Sequence, residues 1–268
     1  MSKIDKIGEL QGILKTAPDD AVARRQLAVL LLDTGFALEA AQHFMYLSKQ
    51  FPGDSGIFYN LGIVYEKLKN LDKAAESYLQ AIKLAPEEVD AQYNLGLVYT
   101  DKREYDKAIE CFEQVLEKDK DDSNAYFSIG LCYFKQGRAA AAKHYFETTT
   151  QLNDEDIYAH FYLGNILKDE GNIAAAQARF HKVLEISPDY SWAYFNLGVI
   201  DYEQGDIAGA LEKLEQTIEY NPKDVDAYRI LVKLLIKSGQ IPRAKEFIKM
   251  ALNHCGAVED LRAIRASL

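Results

Sequence analysis

The 268 residues suffice for one large domain or two small ones, and the 48% that are hydrophobic favour a folded core over wholesale disorder. The net charge of −10 argues against a nucleic-acid binder and against adhesion to an anionic membrane, because both need basic surface. The chain has no apolar stretch of membrane-spanning length and does not begin like a signal peptide. We therefore expect no membrane insertion. The three cysteines, Cys111, Cys132 and Cys255, form no CxxC pair and leave an odd count, so we expect a reduced, cytoplasmic setting.

The first predicted element is a helix within residues 1–20. Its apolar residues recur at helical spacing: Ile4, Ile7, Leu10, Ile13 and Leu14. Such a helix has one apolar face to bury. We expect it to cover the front of the next element as an N-terminal cap.

A pattern of constant period follows this helix. The tetrapeptide Tyr59-Asn60-Leu61-Gly62 has counterparts that begin at Tyr93, Phe127, Phe161 and Phe195, so the interval between successive copies never changes. Extending this register gives seven repeats without insertion or deletion: 21–54, 55–88, 89–122, 123–156, 157–190, 191–224 and 225–258. Position 20, counted from the first residue of each repeat, is alanine throughout: Ala40, Ala74, Ala108, Ala142, Ala176, Ala210 and Ala244.

Each repeat has the pattern of two helices joined by a turn. Phe58, Leu61, Gly62 and Tyr65 share one helical face in the second repeat, and a second apolar face follows the turn. Position 15 is glycine in five repeats, which suits a turn that needs a positive φ. Lys69 and Arg103 replace it in the other two, and we expect strain there.

The last predicted element is a helix at 259–268. Val258, Leu261, Ile264 and Leu268 line one side of it. Because a stack of repeats needs a polar end, we interpret this helix as the C-terminal cap.

The pattern resembles the tetratricopeptide repeat family over nearly the whole chain. The family's motif has Leu at position 7, Gly or Ala at 8, Ala at 20 and a large apolar or aromatic residue at 24. Position 24 here is Phe44, Tyr78, Phe112, Phe146, Phe180, Leu214 and Ile248. The resemblance implies an all-α fold, a right-handed superhelical solenoid of seven 34-residue helix-turn-helix repeats with capping helices at both ends.

The resemblance also implies that positions 2, 5, 9, 12 and 13 of each first helix line a concave groove. Position 5 carries five consecutive aromatic residues, and position 2 adds Tyr158 and Trp192, the only tryptophan. Asparagine amides at position 6 could hydrogen-bond a ligand backbone. The candidate peptide-binding residues are Tyr59, Asn60, Tyr93, Asn94, Phe127, Tyr158, Phe161, Asn165, Trp192, Phe195 and Asn196. Aromatic residues at position 5 and Asn at position 6 are also typical of the family, so a purely structural role stays open.

The sequence contains no catalytic motif, and we predict no enzyme activity, no cofactor and no metal site. Cys132 falls on a helix face where a small buried residue is expected, so we predict a structural thiol. Asp201 stands at a normally apolar position. Either Tyr202 takes over its packing role, or the Asp201 carboxylate has a partner.

The predicted function is that of a scaffold or adaptor for protein–protein interaction. It would bind a peptide, or a helix of a partner protein, in an aromatic groove. One alternative is a self-assembling structural scaffold. Residues 225–258 carry six basic and two acidic residues, a net charge of +4 that could meet an acidic repeat of another copy. A third and weaker alternative is an accessory domain that regulates a separate enzyme.

Overall fold

The computed structural model describes residues 2–256 and 258–268, and that part of the chain is helical without strands. Its contacts divide the chain into an N-terminal unit, residues 1–148, and a C-terminal unit, residues 149–268. The N-terminal unit contains α1 (Lys3–Thr16), α2 (Ala21–Asp33), α3 (Ala37–Gln50), α4 (Ser55–Lys67), α5 (Leu71–Leu84), α6 (Val89–Asp101), α7 (Tyr105–Lys118) and α8 (Ser123–Lys135). The helix α9 (Ala139–Leu152) includes the division. The C-terminal unit contains α10 (Ile157–Asp169), α11 (Ile173–Ile186), α12 (Ser191–Gln204), α13 (Ile207–Tyr220), α14 (Val225–Lys237), α15 (Ile241–His254) and α16 (Glu259–Ser267).

Within each unit the helices pack chiefly on their neighbours in the chain. In the N-terminal unit α4 packs on α5 and α6 on α7, and in the C-terminal unit α10 packs on α11 and α12 on α13. The first helices α4, α6 and α8 begin at one constant interval along the chain, and α10, α12 and α14 begin at the same interval, which equals the sequence period. The predicted all-helical repeat fold is confirmed, with helical hairpins as its building block.

The closest packing lies inside each hairpin. All seven alanines at position 20 and all seven large residues at position 24 are fully buried. A Cβ atom added at Gly96 would lie 2.6 Å from Cε1 of Phe112, so this position has room for hydrogen alone. Small residues therefore let the two helices approach while the large residue at position 24 of the second helix fills the space between them.

The turns between paired helices require left-handed backbone. Glycine takes a positive φ at position 15, as at Gly137 with φ 74°. Lys69 has φ 57° and Arg103 has φ 61°, where a Cβ atom is unfavourable. The predicted strain at these two turns is confirmed.

The terminal helices bury one face each. Leu10 of α1 and Leu261 of α16 are buried in the core clusters of their units. Ile4, which the spacing placed on the same face as Leu10, is instead 73% exposed. It lies in the first turn of α1, and α1 packs on α2 alone among the contacts described.

Aspartates cap the N-termini of the first helices of most hairpins. The carboxylate of Asp122 accepts a hydrogen bond from the backbone N–H of Ala125 at the start of α8, which satisfies a donor that the helix leaves free. Asp20, Asp54, Asp156 and Asp224 do the same at α2, α4, α10 and α14.

Candidate functional site

The predicted aromatic row of the N-terminal unit is half-buried. Tyr59, Tyr93 and Phe127 each lean on the buried aromatic ring of the second helix in the same hairpin. The ring centroids are 5.9 Å apart for Tyr59 and Tyr78, 5.3 Å for Tyr93 and Phe112, and 5.6 Å for Phe127 and Phe146. These rings pack on the core and leave only part of their surface to solvent.

Polar atoms of this row connect successive hairpins. The Asn94 side chain donates to the hydroxyl of Tyr59 over 3.2 Å, and the Tyr93 hydroxyl lies 3.1 Å from Oγ of Ser128. The amide of Asn60 donates to the backbone carbonyl of Gly56. The amides predicted to bind a ligand backbone are thus engaged with the protein itself. Burial is the largest effect on the Tyr59 hydroxyl and raises its pKa, while the hydrogen bond that it accepts from Asn94 acts in the opposite direction.

The C-terminal unit presents larger aromatic side chains to solvent. Tyr158 on α10 is 58% exposed, and Trp192 on α12 is 51% exposed. Both stand at position 2 of their repeats, in the first turn of a first helix. Exposed side chains of this size are typical of interaction surfaces, because they supply much apolar area with few rotatable bonds.

A third aromatic residue, Tyr190, completes this group. Its ring centroid lies 6.5 Å from that of Tyr158 and 5.5 Å from that of Phe161, both in edge-on geometry. Trp192 packs edge-on against Phe195 at 6.4 Å. We call Tyr158, Phe161, Tyr190, Trp192 and Phe195 the aromatic surface.

Tyr190 was missed by the sequence analysis, although the sequence carries a signal for it. It precedes α12 at the position where Asp122 and Asp156 cap their helices, and α12 has no side-chain cap. An aspartate there contributes about 1 kcal/mol to helix stability. With Tyr190 in place of aspartate, this repeat has an aromatic ring where other repeats have a helix cap. Burial raises the pKa of Tyr190.

The remaining predicted site residues of this unit differ in exposure. Asn196 is 5% exposed, its amide donates to the Trp192 carbonyl over 2.9 Å, and its carbonyl accepts from Lys168 over 2.6 Å. It therefore fixes the turn that carries Trp192 instead of offering an amide to a ligand. Asn165 is half-buried on α10, one turn beyond Phe161.

Cys132 and Tyr202 lie where the sequence predicted. Cys132 is fully buried with its Sγ 3.4 Å from the Thr100 hydroxyl, and burial raises the pKa of the thiol, which keeps it protonated. Tyr202 packs against the core cluster of the last helices, as the first of the two alternatives for Asp201 required. Burial, and then the neighbouring Asp206, raise the pKa of Asp201.

The described residues contain no group of three His, Cys, Asp or Glu side chains that could hold a metal ion. Among the same residues, no helix has the length and apolar character needed to cross a membrane.

Paired antiparallel helices that recur at one constant interval define an α-helical repeat protein. The tetratricopeptide repeat models match residues 56–88, 89–122, 111–144, 167–210 and 201–268. The chain belongs to the tetratricopeptide repeat family, whose members generally mediate protein–protein interaction. No curated protein matches the sequence.

Solved structures of the same fold include three informative neighbours. YrrB, described as a tetratricopeptide repeat protein with an unusual peptide-binding site, shares 26% identity over 71% of this chain and 98% of its own, with a TM-score of 0.58. The C-terminal part of a repeat protein from Cytophaga hutchinsonii shares 18% identity over 89% and 98% of the two chains, with a TM-score of 0.73. PilF of Pseudomonas aeruginosa shares 17% identity over 80% and 97%, with a TM-score of 0.67. The last two likenesses concern the fold alone.

Proposed function

We propose that the protein is an adaptor that binds a polypeptide partner, an amphipathic helix or an extended segment, through the aromatic surface of its C-terminal unit. The observation that carries this proposal is the pair Tyr158 and Trp192, which are large, apolar and more than half exposed. Tyr190 packs beside Tyr158, and Phe161 packs against Tyr190, so a partner would meet several rings at once.

Exposed aromatic rings are unfavourably hydrated, so their burial against a partner is favourable in free energy. Burying apolar area contributes roughly 25 cal/mol per Å². Aromatic anchors at the centre of an interface commonly dominate the binding energy. The peptide-binding site described for YrrB, a neighbour at 26% identity, supports the same class of ligand here.

Tyr59, Tyr93 and Phe127 of the N-terminal unit form a second, weaker candidate surface. Their rings are half-buried and the polar atoms of Tyr59 and Tyr93 are engaged with Asn94 and Ser128. We expect them to stabilise the repeats more than they bind a partner.

The test is a peptide selection followed by a binding comparison. A displayed peptide library is selected on the full chain, and an enriched peptide is titrated against the wild type, Tyr158→Ala and Trp192→Ala by fluorescence anisotropy. Each variant should weaken binding about tenfold or more, as for central aromatic anchors. Val22→Ala is the matched control, because Val22 holds position 2 of the first repeat and is 68% exposed. Equal affinity in all four proteins would contradict the proposal.

A further inference from the structure

A cleft lies in the C-terminal unit between α13 and α15, the second helices of two successive hairpins. It has a volume of about 590 Å³, and its apolar lining includes Ile218, Phe247 and Met250. That volume lies within the range of small-ligand sites. The cleft shares no residue with the aromatic surface, so it is a separate candidate site.

The edge of the cleft is acidic. Glu212, Glu215 and Glu219 line it from α13. Glu215 forms an ion pair with Arg243 of α15, and Glu212 lies 3.5 Å from Lys213 beside it on the same helix. Glu219 has no ion-pair partner among the described residues. The other ionisable side chains that line the cleft are His254 and Tyr228. The lining therefore has a surplus of negative charge that suits a cationic occupant.

Two buried oxygen atoms at the cleft have no hydrogen-bond partner within the described part of the chain. They are Oε1 of Gln216 and the hydroxyl of Tyr228, whose side chain is fully buried. A buried polar atom without a partner is destabilising, because folding removes its hydrogen bonds to water and supplies none in return. Burial raises the pKa of Tyr228 to about 12.

The tyrosine at the position of Tyr228 in the preceding repeat has a hydrogen-bond partner. Tyr194, one repeat before Tyr228, donates to the backbone carbonyl of Pro188 over 3.1 Å. The matching carbonyl in the last repeat, that of Pro222, is instead approached by Sγ of Cys255 at 3.7 Å. The Tyr228 hydroxyl therefore lacks the partner that its counterpart has.

We propose that this cleft binds an arginine side chain of a partner polypeptide. A guanidinium group carries five donors in one plane, which suits the carboxylate of Glu219 together with the unpartnered oxygens of Gln216 and Tyr228. Its plane can stack on the ring of Phe247, and its aliphatic stem can lie against Met250. A lysine ammonium offers neither the plane nor the paired donors.

Methionine labelling gives a direct test on the full chain. The sequence has three methionines, Met1, Met45 and Met250, and only Met250 lines the cleft. A blocked leucine–arginine–leucine peptide is titrated into methyl-labelled protein and followed by NMR. The Met250 methyl signal should shift saturably while that of Met45, on α3, stays in place.

Matched peptides and variants separate this proposal from general charge attraction. A citrulline peptide, which is neutral, should bind about tenfold more weakly, since its hydrogen bonds to the cleft lack the charge of the guanidinium group. A lysine peptide should also bind more weakly. Glu219→Gln should weaken arginine binding several-fold, whereas Glu246→Gln, at an exposed glutamate outside the cleft, should not.

Tyr228→Phe and Trp192→Ala complete the test. Tyr228→Phe should keep the thermal midpoint of the wild type or raise it, because it removes an unsatisfied hydroxyl, and it should weaken the Met250 titration. Trp192→Ala should leave that titration unchanged, since the cleft does not depend on the aromatic surface. An unmoved Met250 signal, or equal binding of the arginine, lysine and citrulline peptides, would overturn the proposal.

Discussion

The ring of Tyr190 packs edge-on against that of Phe161, with 5.5 Å between the centroids. Tyr190 precedes α12 at a position where aspartate caps the first helix of other repeats, and α12 has no side-chain cap. The chain thus forgoes a stabilising hydrogen bond at the same place where it gains an aromatic contact surface. Such an exchange is expected where a surface is used for binding.

Replacing Tyr190 by aspartate should separate stability from binding. In Tyr190→Asp the new cap contributes about 1 kcal/mol and offsets lost ring contacts of similar size, so the free energy of unfolding should stay within about 1 kcal/mol of the wild type. Affinity for the selected peptide should fall. Chemical denaturation and anisotropy measure the two effects.

Glu88→Asp is the matched control for that experiment. Glu88 precedes α6 at the equivalent position and forms no side-chain cap. The shorter aspartate should stabilise the protein by about 0.5–1 kcal/mol without changing peptide affinity. A loss of affinity in Glu88→Asp equal to that in Tyr190→Asp would argue against a specific role for Tyr190.

Glycines at position 8 should tolerate alanine only where the facing residue can yield. In Gly96→Ala the new methyl group would lie 2.6 Å from the buried Phe112 ring, so we expect a loss of about 1–3 kcal/mol. In Gly198→Ala the nearest atoms are Cγ of Leu214 and Cβ of Lys213, both at 3.2 Å, and a helix-propensity gain of about 1 kcal/mol should nearly offset the crowding. Urea unfolding measures the loss of stability in the two variants. A larger loss in Gly198→Ala than in Gly96→Ala would contradict this account of the packing.

The strained turns offer sites for stabilisation. Lys69→Gly and Arg103→Gly should each raise the free energy of unfolding by up to about 1 kcal/mol, because glycine takes a positive φ without a Cβ clash. Gly137→Ala, at a turn with φ 74°, should lower it by a similar amount. Thermal or chemical denaturation provides the comparison. Destabilisation by both glycine variants would show that the side chains compensate the strain.

His160 should make stability depend on pH. The imidazole is buried, lies 3.2 Å from Nη1 of Arg179 and 3.0 Å from the Asp154 carbonyl, and has the Asp154 carboxylate at 3.7 Å. Burial is the largest effect and lowers the pKa of His160; the Arg179 charge lowers it further, while Asp154 acts in the opposite direction. The unfolded chain therefore binds the proton first, and its histidines titrate near about 6.5. The stability contribution is complete above that pH and is lost as the pH falls towards and through the lower folded value.

Urea unfolding at neutral pH and at about pH 5 tests this assignment. The wild type should lose more stability on acidification than His160→Gln does. Arg24 and His43 form the corresponding contact in the first repeat, with the two residue types exchanged, and burial also lowers the pKa of His43. His43→Gln should therefore show a smaller pH dependence as well. Identical pH dependence in the wild type and both variants would refute the assignment.

The repeat register was predictable because it rests on local physics. Alanine at position 20, a large residue at 24 and glycine at 15 follow from helix crossing and turn geometry, so their spacing alone placed the helices. The exposure of Ile4 was not predictable in this way. Helical spacing gives the face of a residue but does not say whether a neighbouring helix extends far enough to cover it.

The proposed binding surface was only partly predictable. Tyr158 and Trp192 stood out as unusual residues at position 2, and the structure leaves both exposed. The bonds of Asn94 to Tyr59 and of Asn196 to Lys168 join residues 35 and 28 positions apart, and a family pattern does not reveal such pairings. Tyr190 lies outside every described helix, where apolar periodicity gives no information. The sequence does show that it stands where other repeats have aspartate.

Tryptophan fluorescence tests the central claim most directly. Trp192 is the only tryptophan and lies in the aromatic surface, half-exposed. Titrating the selected peptide into the wild-type chain should shift its emission to shorter wavelength with the midpoint found by anisotropy, because the indole leaves water when the partner binds. Tyr158→Ala should move both midpoints together. Saturable peptide binding with unchanged Trp192 emission would place the partner elsewhere and contradict the account.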